Sequence, residues 1–146
     1  MTARPAAKLY SPALLGLATE LVQFPLDDTL SLRAEARSRS CGSVIAIGLA
    51  LAEDGRIGRI GMTVSACAIG QASAALLARS AIGAEPARIR TTTTTLTAWL
   101  AGEGDLPEWP GLDVLSPALP HPGRHGALLL PWKAACEALS SGAEQG

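Results

Sequence analysis

The stretch from Cys41 to Cys67 constrains the fold of this chain more than any other. Val44 to Val64 reads as two strands joined at Glu53-Asp54-Gly55. Ile45, Ile47, Leu49 and Leu51 mark the apolar side of the first strand, and Ile60, Met62 and Val64 that of the second. Ile57 falls out of phase with that second set, so Gly58 marks a bulge. A hairpin returns the chain on itself, which makes neighbours of the residues just before it and just after it. Cys41, followed by Gly42, ends an alternating run ahead of the hairpin. Cys67 ends the second strand and opens an Ala-rich helical pattern. Two thiols far apart in sequence are therefore expected at one end of a sheet.

The flanking segments supply the remaining layers. Residues 1–8 read as a loose arm. Ser11-Pro12 is a helix start, with Ser as N-cap and Pro at the first helical position. Leu14, Leu15, Leu17, Ala18, Leu21 and Val22 recur as its packed face, and Pro25 stops the helix around Gln23. Thr29 to Arg39 alternates Leu30, Leu32, Ala34 and Ala36 against polar residues, a strand with one wet face. A helix from Ala68 to Ile82 ends at Gly83, and another from Glu85 to Ala101 begins at Pro86 and ends at Gly102. The Thr91 to Thr95 run within it reads as a half-buried helix face rather than a phosphorylation tract. Gly102 to Gly123 is a Pro- and Gly-rich connection carrying Trp109 and Leu112, long enough to cover something. The last helix is expected to end near Leu139, with 141–146 loose. The whole is one α+β domain: a three-stranded antiparallel sheet with helices packed against it.

Length and charge narrow the function. A chain of 146 residues buries a sizeable core in a single domain. Its 48% hydrophobic content includes only three Trp, one Tyr and one Phe, so the core is aliphatic. A net charge of −1 lacks the basic excess of a nucleic-acid or membrane-surface protein. No apolar run approaches the ~20 residues that span a bilayer. Without an apolar leader at the N-terminus the chain reads as cytoplasmic, where three cysteines are free, metal-bound or redox-active rather than disulfide-bonded.

The order strand, Cys-Gly, hairpin, Cys, Ala/Ser-rich helix resembles the U-type iron–sulfur cluster scaffold family, which contains IscU, SufU and the N-terminal domain of NifU. Cys67-Ala68-Ile69-Gly70-Gln71-Ala72-Ser73-Ala74-Ala75-Leu76-Leu77 is the most specific patch. Leu9-Tyr10-Ser11-Pro12 is similar to the family's opening motif. Arg124-His125-Gly126-Ala127-Leu128-Leu129-Leu130-Pro131-Trp132-Lys133 resembles the segment that carries its third cysteine. The resemblance implies a scaffold or sulfur acceptor that takes sulfur from a cysteine desulfurase as a persulfide and passes clusters to apo iron–sulfur proteins. It implies an iron–sulfur cluster or zinc held at Cys41, Cys67 and His125.

The residues themselves give partial support. A thiol at a helix N-terminus, as expected for Cys67, is favoured as its anion by unpaired N–H groups and the helix dipole. Gly42 lets the chain turn tightly after Cys41. The plain alternative is that both cysteines are small buried hydrophobes. Two departures from the family stand out: Ser43 replaces the usual Asp, and no cysteine stands at the family's third position. Anchoring on Arg124 and Trp132-Lys133 puts Ala127 at that position, and anchoring on His125 puts Gly126 there. Cys136 is no obvious substitute, lying about 16 Å down a continuous helix at ~1.5 Å per residue, unless Pro131 starts that helix late. Three ligands leave an open place for water, Ser43, or a carboxylate such as Asp27 or Asp28, whereas a closed site wants four. With no Ser-His-Asp arrangement, P-loop or paired carboxylates, catalysis in its own right is not expected. The rival readings are a metal-free paralogue acting as a protein-interaction module, and a zinc-dependent sulfurtransferase partner.

Overall fold

The computed structural model describes residues 10–39 and 42–145. Its sheet has three antiparallel strands in the order β1 (Leu32–Arg37), β2 (Val44–Leu51) and β3 (Ile57–Ser65). Register follows the apolar pattern. Leu32, Ala34 and Ala36 stand opposite Leu49, Ile47 and Ile45, which in turn stand opposite Ile60, Met62 and Val64. One face is therefore continuously apolar, and slipping by one residue would turn all of it to the wrong side. The expected bulge is present: Ala50 pairs with Arg59 and Leu51 with Ile57, leaving Gly58 as the extra residue.

Two of the four helices pack on the sheet and the other two pack on them. The four are α1 (Pro12–Thr19), α2 (Ala68–Ala81), α3 (Pro86–Leu100) and α4 (His125–Gln145). The fourth packs across β1 and β2, and α2 packs on β3, α1 and α4. Ser11 caps α1 by accepting from Leu14 N at 3.2 Å. Gly83 and Gly102, both with positive φ, follow α2 and α3 as expected. Within α3, Thr92 is buried, while Thr93, Thr94, Thr95 and Thr97 each donate to the carbonyl one turn back. The threonine run is a half-buried helix face.

Three expectations are corrected. Only Leu14 and Leu17 of the first helix are buried; Leu15 lies ~100° around from Leu14, and Val22 falls in a 3₁₀ turn, Glu20–Gln23, and is 84% exposed. The 102–123 connection is not wholly irregular, since Leu112–Ala118 and Pro122–Arg124 form 3₁₀ turns. The last helix starts at His125, carries Pro131 inside it and runs on to Gln145 rather than ending near Leu139. Leu128, Leu129, Leu130 and Trp132 are all buried on it, and that burial outweighs the hydrogen bond Pro131 cannot make.

The other face of the sheet is covered by the chain between α1 and β1. Phe24 O accepts from Met62 N at 2.9 Å, so this segment runs along the β3 edge. It approaches Gly61 so closely that a Cβ there would lie 2.1 Å from Pro25 O, and one on Gly48 would lie 2.7 Å from Leu30 Cβ. Two glycines inside strands are the condition for that crossing.

Candidate functional site

Cys67 is the N-cap of α2, with extended backbone (φ −67, ψ 170) and no hydrogen bond from its side chain to the helix end. The last pair of the hairpin is Val44 with Ser65. Ser43 on one side and Ala66-Cys67 on the other are thus the first residues beyond the sheet. Ser38 N donates to Ser43 O at 2.8 Å and Gly42 N to Ser38 O at 3.0 Å, folding the β1–β2 connection back over this end. Gly42 has φ 72, the left-handed conformation that favours glycine. Arg124, at the end of the 3₁₀ turn before α4, completes an open cleft of about 270 Å³ lined also by Gly42, Ser43, Ser65, Ala66 and Cys67.

The electrostatics of this cleft favour an anion. The N-cap of a 14-residue helix lines it, no acidic residue occupies that helix's first turn, and Arg124 adds a full positive charge. Cys67 is half-buried, so its sulfur is sheltered yet within reach of a reactant.

The expected site residues are brought together only in part. Cys41 lies outside the described residues; its neighbours Gly42 and Ser43 do line the Cys67 cleft. His125 is the first residue of α4, and its Nε2 lies 2.9 Å from Leu119 O and 3.2 Å from Ala118 O. Both partners only accept, so Nε2 carries the proton and Nδ1 is the ring atom left with a lone pair. Ala127 is buried where α4 meets α2: a Cβ built on Gly70 would lie 3.3 Å from Ala127 Cβ and 2.8 Å from Ala66 Cβ.

Cys136 belongs elsewhere. It lies farther along the uninterrupted α4, contacts Thr93 Oγ1 at 3.4 Å and lines a separate cleft with Arg33, Ala34, Glu137, Ser140 and Ser141. Asp27 is also remote, bound to Thr29 and paired with Arg59 at 2.8 Å near the start of β3. Asp28 pairs with Arg33 at 3.8 Å. Measured against a closed four-ligand set, the described donors fall short, and among the described residues no group of three or more His, Cys, Asp and Glu side chains could hold a metal ion.

Sequence reasoning missed the role of Arg124, which served only as an anchor for aligning the C-terminal segment. The available signal was its place one residue before a helix packed on α2. It also missed a buried hydroxyl, Ser73, whose short side chain inside an Ala-rich helix looked like filler.

The geometry defines a class: an α+β domain presenting a half-buried thiol at a helix N-terminus, in an open cationic cleft at the end of a three-stranded antiparallel sheet. No protein-family profile and no curated protein sequence matches the chain. Solved structures do. A nitrogen-fixing NifU-like protein (N-terminal) from Brucella abortus superposes with a TM-score of 0.89 at 25% identity, over 98% of this chain and 100% of that one. A protein described as an iron–sulfur cluster assembly scaffold for the SUF system of Fervidobacterium islandicum gives 0.77 at 20% identity, over 89% and 96%. A hypothetical protein gives 0.65 at 18%, over 88% and 97%. The chain has the α+β fold of the U-type iron–sulfur cluster scaffold family, and the resemblance seen in its motifs extends to the whole structure.

Proposed function

We propose that this chain works in iron–sulfur cluster assembly, as a sulfur acceptor and scaffold whose reacting thiol is Cys67. The observation that carries the reading is the placement of Cys67 at the α2 N-terminus in a cleft shared with Gly42, Ser43 and Arg124. The sulfur donor is the persulfide of a cysteine desulfurase. The Cys67 thiolate attacks the outer sulfur, the donor's S–S bond breaks, the donor cysteine leaves as its thiolate, and Cys67 becomes the persulfide with no external oxidant. The helix N-terminus and Arg124 stabilise the anionic product, while Cys41 is the second thiol of the pair. A nascent cluster or zinc ion is cargo of this cleft, held by Cys41 and Cys67 with His125 available only through Nδ1.

The decisive experiment is incubation with a cysteine desulfurase and free cysteine, followed by peptide mass spectrometry for one added sulfur atom. The expected result is a persulfide on the Cys67 peptide, lost in Cys67→Ser and kept in Cys136→Ser. Equal loading of the Cys136 peptide, or loading that survives Cys67→Ser unchanged, overturns the assignment.

A second reading has its own support. Ala127 buried at the family's third-cysteine position and His125 Nε2 committed to two carbonyls are the features expected of a metal-free interaction module. Under that reading no sulfur reaches Cys67, and the same experiment separates the two.

A further inference from the structure

The cleft has two walls belonging to different helices: Cys67, the N-cap of α2, and Arg124, immediately before the first turn of α4. Something must fix one helix against the other, and the ligand that would do so through a third cysteine is missing. Along α2 the contacts fall at every third residue. Gly70 meets Ala127, and Ser73 Oγ donates to Leu128 O at 2.6 Å while accepting from Trp132 Nε1 at 3.0 Å. Leu76 O accepts from Trp109 Nε1 at 2.8 Å, and Trp109 meets Trp132 edge-on with ring centroids 5.0 Å apart.

Ser73 is the centre of this row. It is fully buried, so its hydroxyl would be costly without partners, and it has one on each side of the same α4 turn. Gly70 and Ala127 let the helices approach but do not fix their sliding or rotation. A hydrogen bond from Oγ to one backbone carbonyl, with an indole N–H donated back, fixes both. Leu128 is four residues beyond Arg124, one helical turn, so the bond to its carbonyl acts close to the cleft.

We propose that Ser73 is the positioning residue of the Cys67 cleft: by holding Leu128 O and the Trp132 indole together, it keeps Arg124 beside the thiol. The assignment rests on reading Cys67 as the reacting group, but it is tested without any sulfur transfer. Cys67 is alkylated with iodoacetamide, which is neutral, and with iodoacetate, which is an anion, and the ratio of the two rates is taken by peptide mass spectrometry. Attraction by Arg124 raises the iodoacetate rate selectively. Arg124→Gln therefore lowers the ratio by about twofold to fivefold, the range of a partly exposed charge pair. Ser73→Ala lowers it by a comparable factor with Arg124 still in place. Ile57→Ala, a buried truncation at the far end of β3 and outside this row, destabilises the fold yet keeps the wild-type ratio. All variants are compared well below their melting midpoints. A wild-type ratio in Ser73→Ala overturns the proposal, as does a loss of the ratio in Ile57→Ala as large as in Ser73→Ala. Because persulfide formation is not measured, failure here is distinct from failure of the sulfur-acceptor reading.

Discussion

Ala127→Cys tests whether the vacancy at the α2–α4 contact corresponds to the family's third ligand. The side chain at 127 is 1% exposed, and it faces the space left by Gly70, where even a methyl would lie 3.3 Å from both Ala127 Cβ and Ala127 O. A sulfur must use that space. Overpacking of this kind costs about 1–3 kcal/mol, which for a chain of this size lowers the melting midpoint by roughly 2–4 °C per kcal/mol. The metal-free variant is therefore expected to melt several degrees below the parent. Zinc should reverse the loss, since a thiolate added to the proposed ligand set tightens binding at least tenfold, about 1.4 kcal/mol. Ligand at a hundred times its dissociation constant returns about 2.7 kcal/mol. Thermal melts with and without zinc, with dye-competition titrations, measure both numbers. Gly126→Cys, one position away on the same turn, is expected to gain less. If Ala127→Cys loses stability and zinc restores none of it, or if affinity is unchanged, then position 127 does not communicate with the Cys67 cleft and the correspondence is wrong.

Two further expectations concern the far side of the sheet. Gly61→Ala places a Cβ 2.1 Å from Pro25 O, a backbone atom that cannot step aside alone, so the crossing segment must lift and the cost should reach at least about 2 kcal/mol by urea denaturation; a loss under about 0.5 kcal/mol would mean the segment does not lie against β3 in solution. Asp27 is held below its ordinary value of 3.8 by hydrogen bonds from the Thr29 hydroxyl and N–H, with Arg59 adding to them. A depressed carboxyl contributes stability that is full above its unfolded value and disappears as pH falls through the folded one. The stability gap between the parent and Asp27→Asn should therefore be constant near neutrality and narrow below about pH 4; a gap that widens on acidification in thermal melts contradicts this assignment.

What the sequence disclosed follows the range of each interaction. The hairpin, its bulge, the Ser11 cap and the glycines after α2 and α3 depend on residues within a few positions of one another, and all are present. Leu15 was misplaced because a residue next to Leu14 lies ~100° around the helix, and Val22 because the chain tightens into a 3₁₀ turn at Glu20–Gln23. Gly48 and Gly61 lie inside two strands, where glycine has no local purpose. Their reason is a segment that crosses them from outside the hairpin, and no local pattern encodes that approach. A late start to α4 at Pro131 was the open alternative, and the buried residues around it keep the helix continuous from His125.

The same division runs through the site. Cys67 was legible because a strand giving way to an Ala-rich helix fixes a helix N-terminus by local rules alone, and its cleft partners Gly42 and Ser43 follow from hairpin register. The hydrogen bonding of His125 was not, because its partners are carbonyls at the end of the Leu112–Ala118 turn, formed by a Pro-rich segment with no periodic signature. The absent third cysteine also takes on a different meaning in the folded chain. A shared ion would join the first turns of α2 and α4 through its ligands. Here the two helices are joined directly, by Gly70 against Ala127 and by Ser73 bound to Leu128 and Trp132. Such a junction stands without metal, so occupancy of the cleft and integrity of the fold are separable. On the proposed sulfur-acceptor reading, a chain that keeps its shape when empty exposes Cys67 to the donor before any metal arrives. Chelator treatment should accordingly leave the melting midpoint of the parent chain unchanged, whereas Ser73→Ala should lower it with or without chelator.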